Sequence, residues 1–515
     1  MSKKKRFALF AGLAGAAAAG VTTVMYLHQE LAGKKPFTIE EATLADIQRA
    51  LKSGRTTAKK LVRHYLKRID RYDCRGPRLN AILELNPGAL QEAEASDIRR
   101  SVQPASEPLL GVPIIVQDNI NTAAPLHTTA GSPALANHQP ACDAFLVGQL
   151  RKAGAIILAK ANLTEWANFI SDRMPNGYSS LGGQTTNPYG PFDVGGSSSG
   201  TAVAVAANLA AVGVGTETSG SILKSCSANA LVGIKPTVGL ISRSGIIPIA
   251  HSQDTPGPIA RTVADAARLL NILTGVDKAD EETIWSSSDM KKDYTVYLKR
   301  SGLRGARLGI DRRYLREIND EKIAIIEQSL KLMDGKGAQL VDPAAIPSWD
   351  KLKDKTSSVL FRELKWDVNH YLADLPPASP VHSLADLIAF NQKHAVQALK
   401  YGQTIFEKAQ RLSSNLGERQ YLADRADDIR LSRKEGIDAV MKGRHLDALL
   451  FAGASGAELA AKAGYPSITV PAGFTSEGEP IGLTFTGQAF SEPRLIELAY
   501  SFEQASRRRK APHLG

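Results

Sequence analysis

The chain has 515 residues, 43% hydrophobic and 22% charged, an ordinary globular composition with ample length for a large core. The net charge is +11, but residues 1–35 contribute +5 and residues 507–510 contribute +4, so the remainder is nearly neutral and gives no argument for nucleic-acid binding. Three scattered cysteines, Cys74, Cys142 and Cys226, exclude a disulfide framework or a cysteine-based zinc site and read as packing residues.

The first element is "MSKKKR" followed by 21 uncharged residues, 7–27. A basic start before an apolar stretch of that length predicts a signal peptide or membrane anchor. It separates residues 1–35 from a body spanning 36–515 and predicts an extracytoplasmic location, membrane-anchored or secreted. Residues 38–73 read as two amphipathic helices broken at "SGRT". "GVPIIVQ" (111–117) is a buried strand. "CDAFLVGQLRKAGAIILAKANLTEW" gives helix, glycine stop, strand and polar loop, and "GTAVAVAANLA" with "AVGVGT" repeats that order. This alternation predicts an α/β sheet covered by helices. From 282 to 445 the composition turns charged and helix-rich, which predicts a mainly helical insertion or cap. The strands "LDALLF", "PSITVPAGF" and "PIGLTFTG" and the helix "EPRLIELAYSFEQASRR" then complete the body. The basic run that closes this helix reads as a solvated end matched to the helix dipole.

"GTETSGSIL" (215–223) surrounds Ser221 with small residues that bring several N–H groups together, as an oxygen anion requires. Three readings of the serines compete. "GSSSG" (196–200) has the form of a nucleophile elbow centred on Ser198, but no strand leads into it. Ser221-Ile-Leu-Lys224 has the form S-x-x-K, but the S-D-N and K-T-G strings that accompany that class are missing. The third reading takes the whole segment "GGSSSGTAVAVAANLAAVGVGTETSGSILKSCSANALVGIKPTVGL" (195–240), which resembles the signature of the amidase signature family. "GVPIIVQDNI", "TTAGS", "KANLTEWAN", "NPYG", "SQDTPGPIARTVADAA" and "AGYPSITVPAGF" extend the resemblance over most of the chain after residue 38. The nearest flavour is the bacterial amidase and peptide-amidase branch.

The resemblance implies an α/β/α sandwich around a mixed sheet of about eleven strands. It implies an amide hydrolase acting on a carboxamide or peptide amide through an acyl-serine, with no cofactor. Ser221 matches the family nucleophile and Ser197 the bridging serine, with a cis peptide near Ser197. The N–H groups of Thr218, Ser219, Gly220 and Ser221 match the oxyanion hole. The family's third catalytic residue is a lysine in a motif like G-[IV]-P-x-x-[VLI]-K-D. Here that position is Gln117. A carboxamide has no usable protonation equilibrium near neutral pH, whereas burial brings a lysine from about 10.4 toward neutrality. The triad Ser221–Ser197–Gln117 therefore lacks its proton acceptor. Either hydrolysis is impaired, or the chain is a non-catalytic pseudoamidase that binds an amide or peptide at the cell surface. Gln117 is expected to hold Ser197 by a hydrogen bond. Lys224, three residues past Ser221, is a candidate substitute base if it is desolvated. Asp118 and Asn119 read as local hydrogen-bonding residues, Glu217 as a buried support for the oxyanion loop, and His127 and His251 as structural or pocket-wall residues. No metal-ligand spacing is present, so no metal is expected. Substrate and oligomeric state are not legible.

Overall fold

The computed structural model describes residues 37–102, 107–316 and 318–515. The basic segment and the apolar stretch 7–27 lie outside them. Among the described residues no helix is long and apolar enough to cross a membrane.

In chain order the strands are β1 (Ile82–Leu85), β2 (Pro113–Gln117), β3 (Ile156–Ala161), a separate small hairpin of β4 (Tyr178–Ser179) and β5 (Gly183–Gln184), β6 (Gly213–Glu217), β7 (Val232–Lys235), β8 (Thr255–Ala260), β9 (Arg307–Ile310), β10 (Gln339–Val341), β11 (Ala448–Ala452), β12 (Ser467–Phe474) and β13 (Pro480–Thr486). Eleven of them form one mixed sheet in the order β1-β3-β2-β6-β8-β7-β12-β13-β11-β9-β10, with helices on both faces. This is the sandwich the resemblance implied. β2, β3, β6 and β8 are buried along their whole length, because helices cover both sides and each strand can be apolar throughout.

β2 runs parallel to β3 on one side and to β6 on the other. Their carboxyl ends therefore emerge together, and these ends carry Gln117 and Glu217. Loops at the carboxyl ends of parallel strands are where such sheets place ligands. Two short helices complete this edge. Ser199–Ala206 is buried at every position, as its uniformly small apolar sequence requires. Ser221–Ala228 begins directly after β6.

The segment 282–445 is helical apart from β9 and β10, which extend the main sheet. The helices Val359–Ala373, Leu384–Lys393 and Thr404–Arg411 build a second apolar cluster with Trp166, Ile170, Ile247 and Ile249. The cap is thus rooted on residues close to the catalytic edge.

Two expectations are corrected. Only Cys226 is buried, while Cys74 and Cys142 are exposed and pack nothing. Nor is the C-terminal basic run simply solvated. The helix Glu492–Ser506 ends at Arg507 in the left-handed conformation, and the chain turns back over the body. Arg509 then forms an ion pair with Glu41 (2.7 Å) and donates to the carbonyls of Ala206 (3.2 Å) and Ala230 (2.8 Å). Ala206 is the last residue of the helix that begins two residues after Ser197. Hydrogen bonds to charged groups contribute about 1.5–3 kcal/mol each, so Arg509→Ala should cost about 2–3 kcal/mol in urea denaturation. Arg509→Lys should restore only part of this, because an ammonium cannot reproduce the guanidinium fork.

Candidate active site

The turn between β6 and the Ser221–Ala228 helix is built around Glu217. Its carboxylate accepts from the N–H groups of Gly220 (2.8 Å), Ile222 (2.8 Å) and Leu223 (2.9 Å). A negative charge at a helix N-terminus meets both the free N–H groups and the positive end of the helix dipole. Burial pushes the Glu217 carboxyl up, and the three backbone bonds and the field of the buried Lys235 oppose this. Glu217 is the support residue the sequence suggested. Gly220 has φ +92°, and the turn needs that left-handed residue to bring Ser221 onto the first helical position.

The same bond corrects the oxyanion assignment. The Gly220 N–H points at Glu217 and is already used. The N–H groups of Thr218, Ser219 and Ser221 have no acceptor among the described residues and remain as donors for an oxyanion. Ser221, at the first helical position, is 8% exposed.

Ser197 lies in the loop before the Ser199–Ala206 helix, after a cis Gly196–Ser197 peptide. Gly195 has φ +70°, and a Cβ there would lie 2.6 Å from the Ser225 Cα, so glycine lets this loop lie against the nucleophile helix. The two serine segments are joined directly: the Ser198 N–H donates to the Ser221 carbonyl at 3.4 Å, and the Ser198 hydroxyl donates to the Thr216 carbonyl at 2.9 Å. The Ser197 hydroxyl is buried and has no hydrogen-bond partner among the described residues.

Gln117 reaches the same cluster but does not hold Ser197. Its Nε2 donates to Thr216 Oγ1 (3.0 Å) and its Oε1 accepts from the Thr216 N–H (3.3 Å). A carboxamide has a donor and an acceptor side by side, and Thr216 presents the complement of both. Asn119 donates to the same Thr216 hydroxyl at 3.0 Å. Asp118 anchors the Thr129–Gly131 turn.

Lys224 does lie on a helix with Ser221, but it is exposed, and the burial that a lysine base requires is missing. Sequence reasoning passed over a second lysine. Lys160, on β3, is fully buried, and burial holds its amine down to about 8. It pairs in register with Val116, whereas Gln117 pairs with Ala161, so its side chain leaves the sheet on the face opposite Gln117. Its amine donates to the carbonyls of Ile120 and His127 and to Thr128 Oγ1 and lies 3.6 Å from Asp118. Lys160 is a structural cation. Only its place in an otherwise apolar strand could have flagged it.

Two cavities adjoin the turn, and Ser221 lines neither. One, of about 370 Å³, is walled by Thr216–Thr218, Asn119, Asp254, Ile247, Ile249, His251 and Tyr371. The other, of about 930 Å³, is walled on one side by Lys224 and on another by Gly453 and Ala454. In the first, Asp254 accepts from the Thr218 hydroxyl and from the N–H groups of Ile249 and Ala250, tying the oxyanion strand to that wall. Burial raises the Asp254 carboxyl to about 6. His251 lines this cavity and His127 is held by Glu84, which fits both as structural residues.

With this geometry in place, the comparisons decide the family. A model of the amidase family matches residues 60–496. The chain belongs to the amidase family. Over 486 residues it is 42% identical to an Arabidopsis thaliana protein named "Probable amidase", covering 92% of each. Peptide amidase from Stenotrophomonas maltophilia superposes with a TM-score of 0.87 at 44% identity, over 93% of this chain and all of that one. An amidase family protein from Bacillus anthracis gives 0.86 at 37% identity, over 92% and 93%. The chain is an amidase-family hydrolase of peptide-amidase-like structure.

Two outcomes are expected. Glu217→Ala leaves three N–H groups of the amidase nucleophile helix without their acceptor and should cost at least about 3 kcal/mol in urea denaturation, with Glu217→Gln in between. The second concerns His251, whose Nδ1 lies 2.9 Å from Asp367 and whose Nε2 lies 3.7 Å from Glu363, both on the cap helix Val359–Ala373. Burial and Arg243 oppose charge on the imidazole, but the Asp367 bond and the two carboxylates outweigh them and hold it above its ordinary range. A raised folded value stabilises fully below the unfolded value of about 6.5 and loses that contribution as pH rises through the folded one. The ring is partly exposed, so His251→Asn should cost up to about 1 kcal/mol at pH 6 and less at pH 9, read from denaturation midpoints.

Proposed function

We propose that this chain binds a carboxamide or peptide amide at Ser221 and hydrolyses it slowly. In the reaction Ser221 Oγ would add to the amide carbonyl, with the oxyanion held by the N–H groups of Thr218, Ser219 and Ser221. The C–N bond then breaks, the nitrogen leaves with a proton as ammonia or amine, and water releases the acid from the acyl-serine. Each half needs a group that takes a proton from the attacking hydroxyl and returns it to the leaving atom.

The observation that carries the proposal is the Gln117–Thr216 pair beside a partnerless Ser197 hydroxyl. Gln117 fills the place of the base, but it turns its amide to Thr216 and, as a carboxamide, cannot take a proton. Shape, oxyanion donors and nucleophile are kept while the proton path is cut. The same observation favours a second reading, a pseudoamidase that only binds its amide. The name and the chymostatin complex of the peptide amidase relative support a peptide amide as ligand in either case.

Positioned acid–base groups contribute about 10²–10⁴-fold. Gln117→Lys should therefore raise the turnover of a peptide amide, followed by ammonia release, by about that factor. Ser221→Ala should abolish the gain. A native chain as fast as Gln117→Lys would mean that the base lies elsewhere. Binding without turnover in both would establish the pseudoamidase.

A further inference from the structure

The larger cavity carries an inference about what approaches the nucleophile. Six basic and three acidic side chains line it. The acids are all engaged: Glu458 pairs with Lys462 (2.7 Å), Glu479 with Lys322 (2.6 Å), and Asp193 accepts from the Asn176 amide (2.9 Å) and the Gly195 N–H (2.6 Å). A fourth carboxylate, Asp311, neutralises Arg313 from outside the cleft at 2.6 Å. Asp193 keeps its charge, since its partners are neutral, and three unpaired cations stand against that one carboxylate. Lys224, Arg316 and Lys353 are exposed, and among the described residues no carboxylate pairs with any of them. They come from three different segments onto one cleft, which leaves it with an excess of positive charge even after Asp193 is counted.

The cleft also has an aromatic wall. Tyr314 and Trp349 meet edge to face at 4.4 Å between ring centres, and the Arg313 guanidinium lies over Trp349. Its inner end is close to the chemistry. Lys224 is one helical turn from Ser221, and a Cβ on Gly220 would lie 4.0 Å from the Ala454 Cβ, with Ala454 itself part of the cleft wall.

We propose that this cleft receives the acyl side of the substrate and selects peptide amides with carboxylate side chains in the two or three residues before the scissile amide. The inference rests on the amide-binding reading of Ser221. A peptide spans about 3.5 Å per residue, so two or three residues carry a carboxylate from the nucleophile turn to the middle of a cleft of this size. Lys224 then gains a role that needs no deprotonation: a fixed positive charge beside the entering acyl chain.

The test is equilibrium binding to the full chain, read from tryptophan fluorescence, of acetyl-Glu-Glu-Phe-amide and its neutral isostere acetyl-Gln-Gln-Phe-amide. At 20 mM salt the acidic peptide should bind about tenfold more tightly, and the gap should shrink at 0.5 M salt, where charges are screened within a few ångströms. The double variant Lys224→Gln/Lys353→Gln should bring the acidic peptide down to the affinity of the neutral one. Equal affinities at low salt, a gap that survives the double variant, or no binding of either peptide would overturn the proposal. Hydrolysis of the same peptides by Gln117→Lys is scored separately. Its absence would remove the hydrolytic reading while leaving a measured affinity gap intact.

Discussion

The carboxylate of Glu217 is the contact on which the catalytic edge depends. It stands at the last residue of β6 and reaches over its own turn to three N–H groups of the next helix. That grip fixes where the helix begins, and so where Ser221 points. It also divides the donors of the turn into two sets. The Gly220, Ile222 and Leu223 N–H groups are structural, and the Thr218, Ser219 and Ser221 N–H groups remain available. An oxyanion hole must be rigid before the charge arrives, because donors that reorganise during reaction give back what they contribute. Here the rigidity comes from a buried carboxylate held by three backbone donors, with the field of Lys235 beside it.

Beside that fixed turn lies a compact network of amides and a hydroxyl. Gln117 and Thr216 satisfy one another through two hydrogen bonds, and Asn119 adds a third to the same threonine. A lysine in the strand could not have made this reciprocal pair, since it has no acceptor. The replacement is therefore a self-consistent packing solution and not a hole in the site.

Much of the architecture was legible. β2, β3, β6, β11, β12 and β13 read directly as apolar runs, and the helix–strand alternation around residues 145–161 and 199–217 marked the sheet. β8 was not read, because "TPGPIA" contains two prolines. They are tolerated because Pro256 and Pro258 are two residues apart and fall on one side of the strand, while Thr255, Gly257 and Ile259 alternate with them. Continuous pairing lies with β6, and β7 meets β8 only at Gly233 and Val232. β9 and β10 were hidden in a charged stretch because they are only four and three residues long. At the site, Ser221 and Ser197 were legible as motif positions. The bond from Gln117 to Thr216 was not, because the partners are 99 residues apart and nothing local distinguishes that threonine. The convergence of Lys224, Arg316 and Lys353 on one cleft was likewise not legible, because they lie on segments far apart in the chain.

The return of the C-terminal tail has a consequence for how the molecule is made. The helix that follows Ser197 ends at Ala206, and its terminal carbonyl is met by Arg509, 303 residues later. Arg509 also bridges to Glu41, among the first described residues. On the ribosome, residues 37 to 240 emerge long before this arginine does, and domains otherwise begin folding from the N-terminal side during synthesis. The serine scaffold can collapse early, but its clamp arrives only after the 303 residues that separate Ala206 from Arg509 have been made. Closure of this edge therefore waits on residues made much later than the serines it secures.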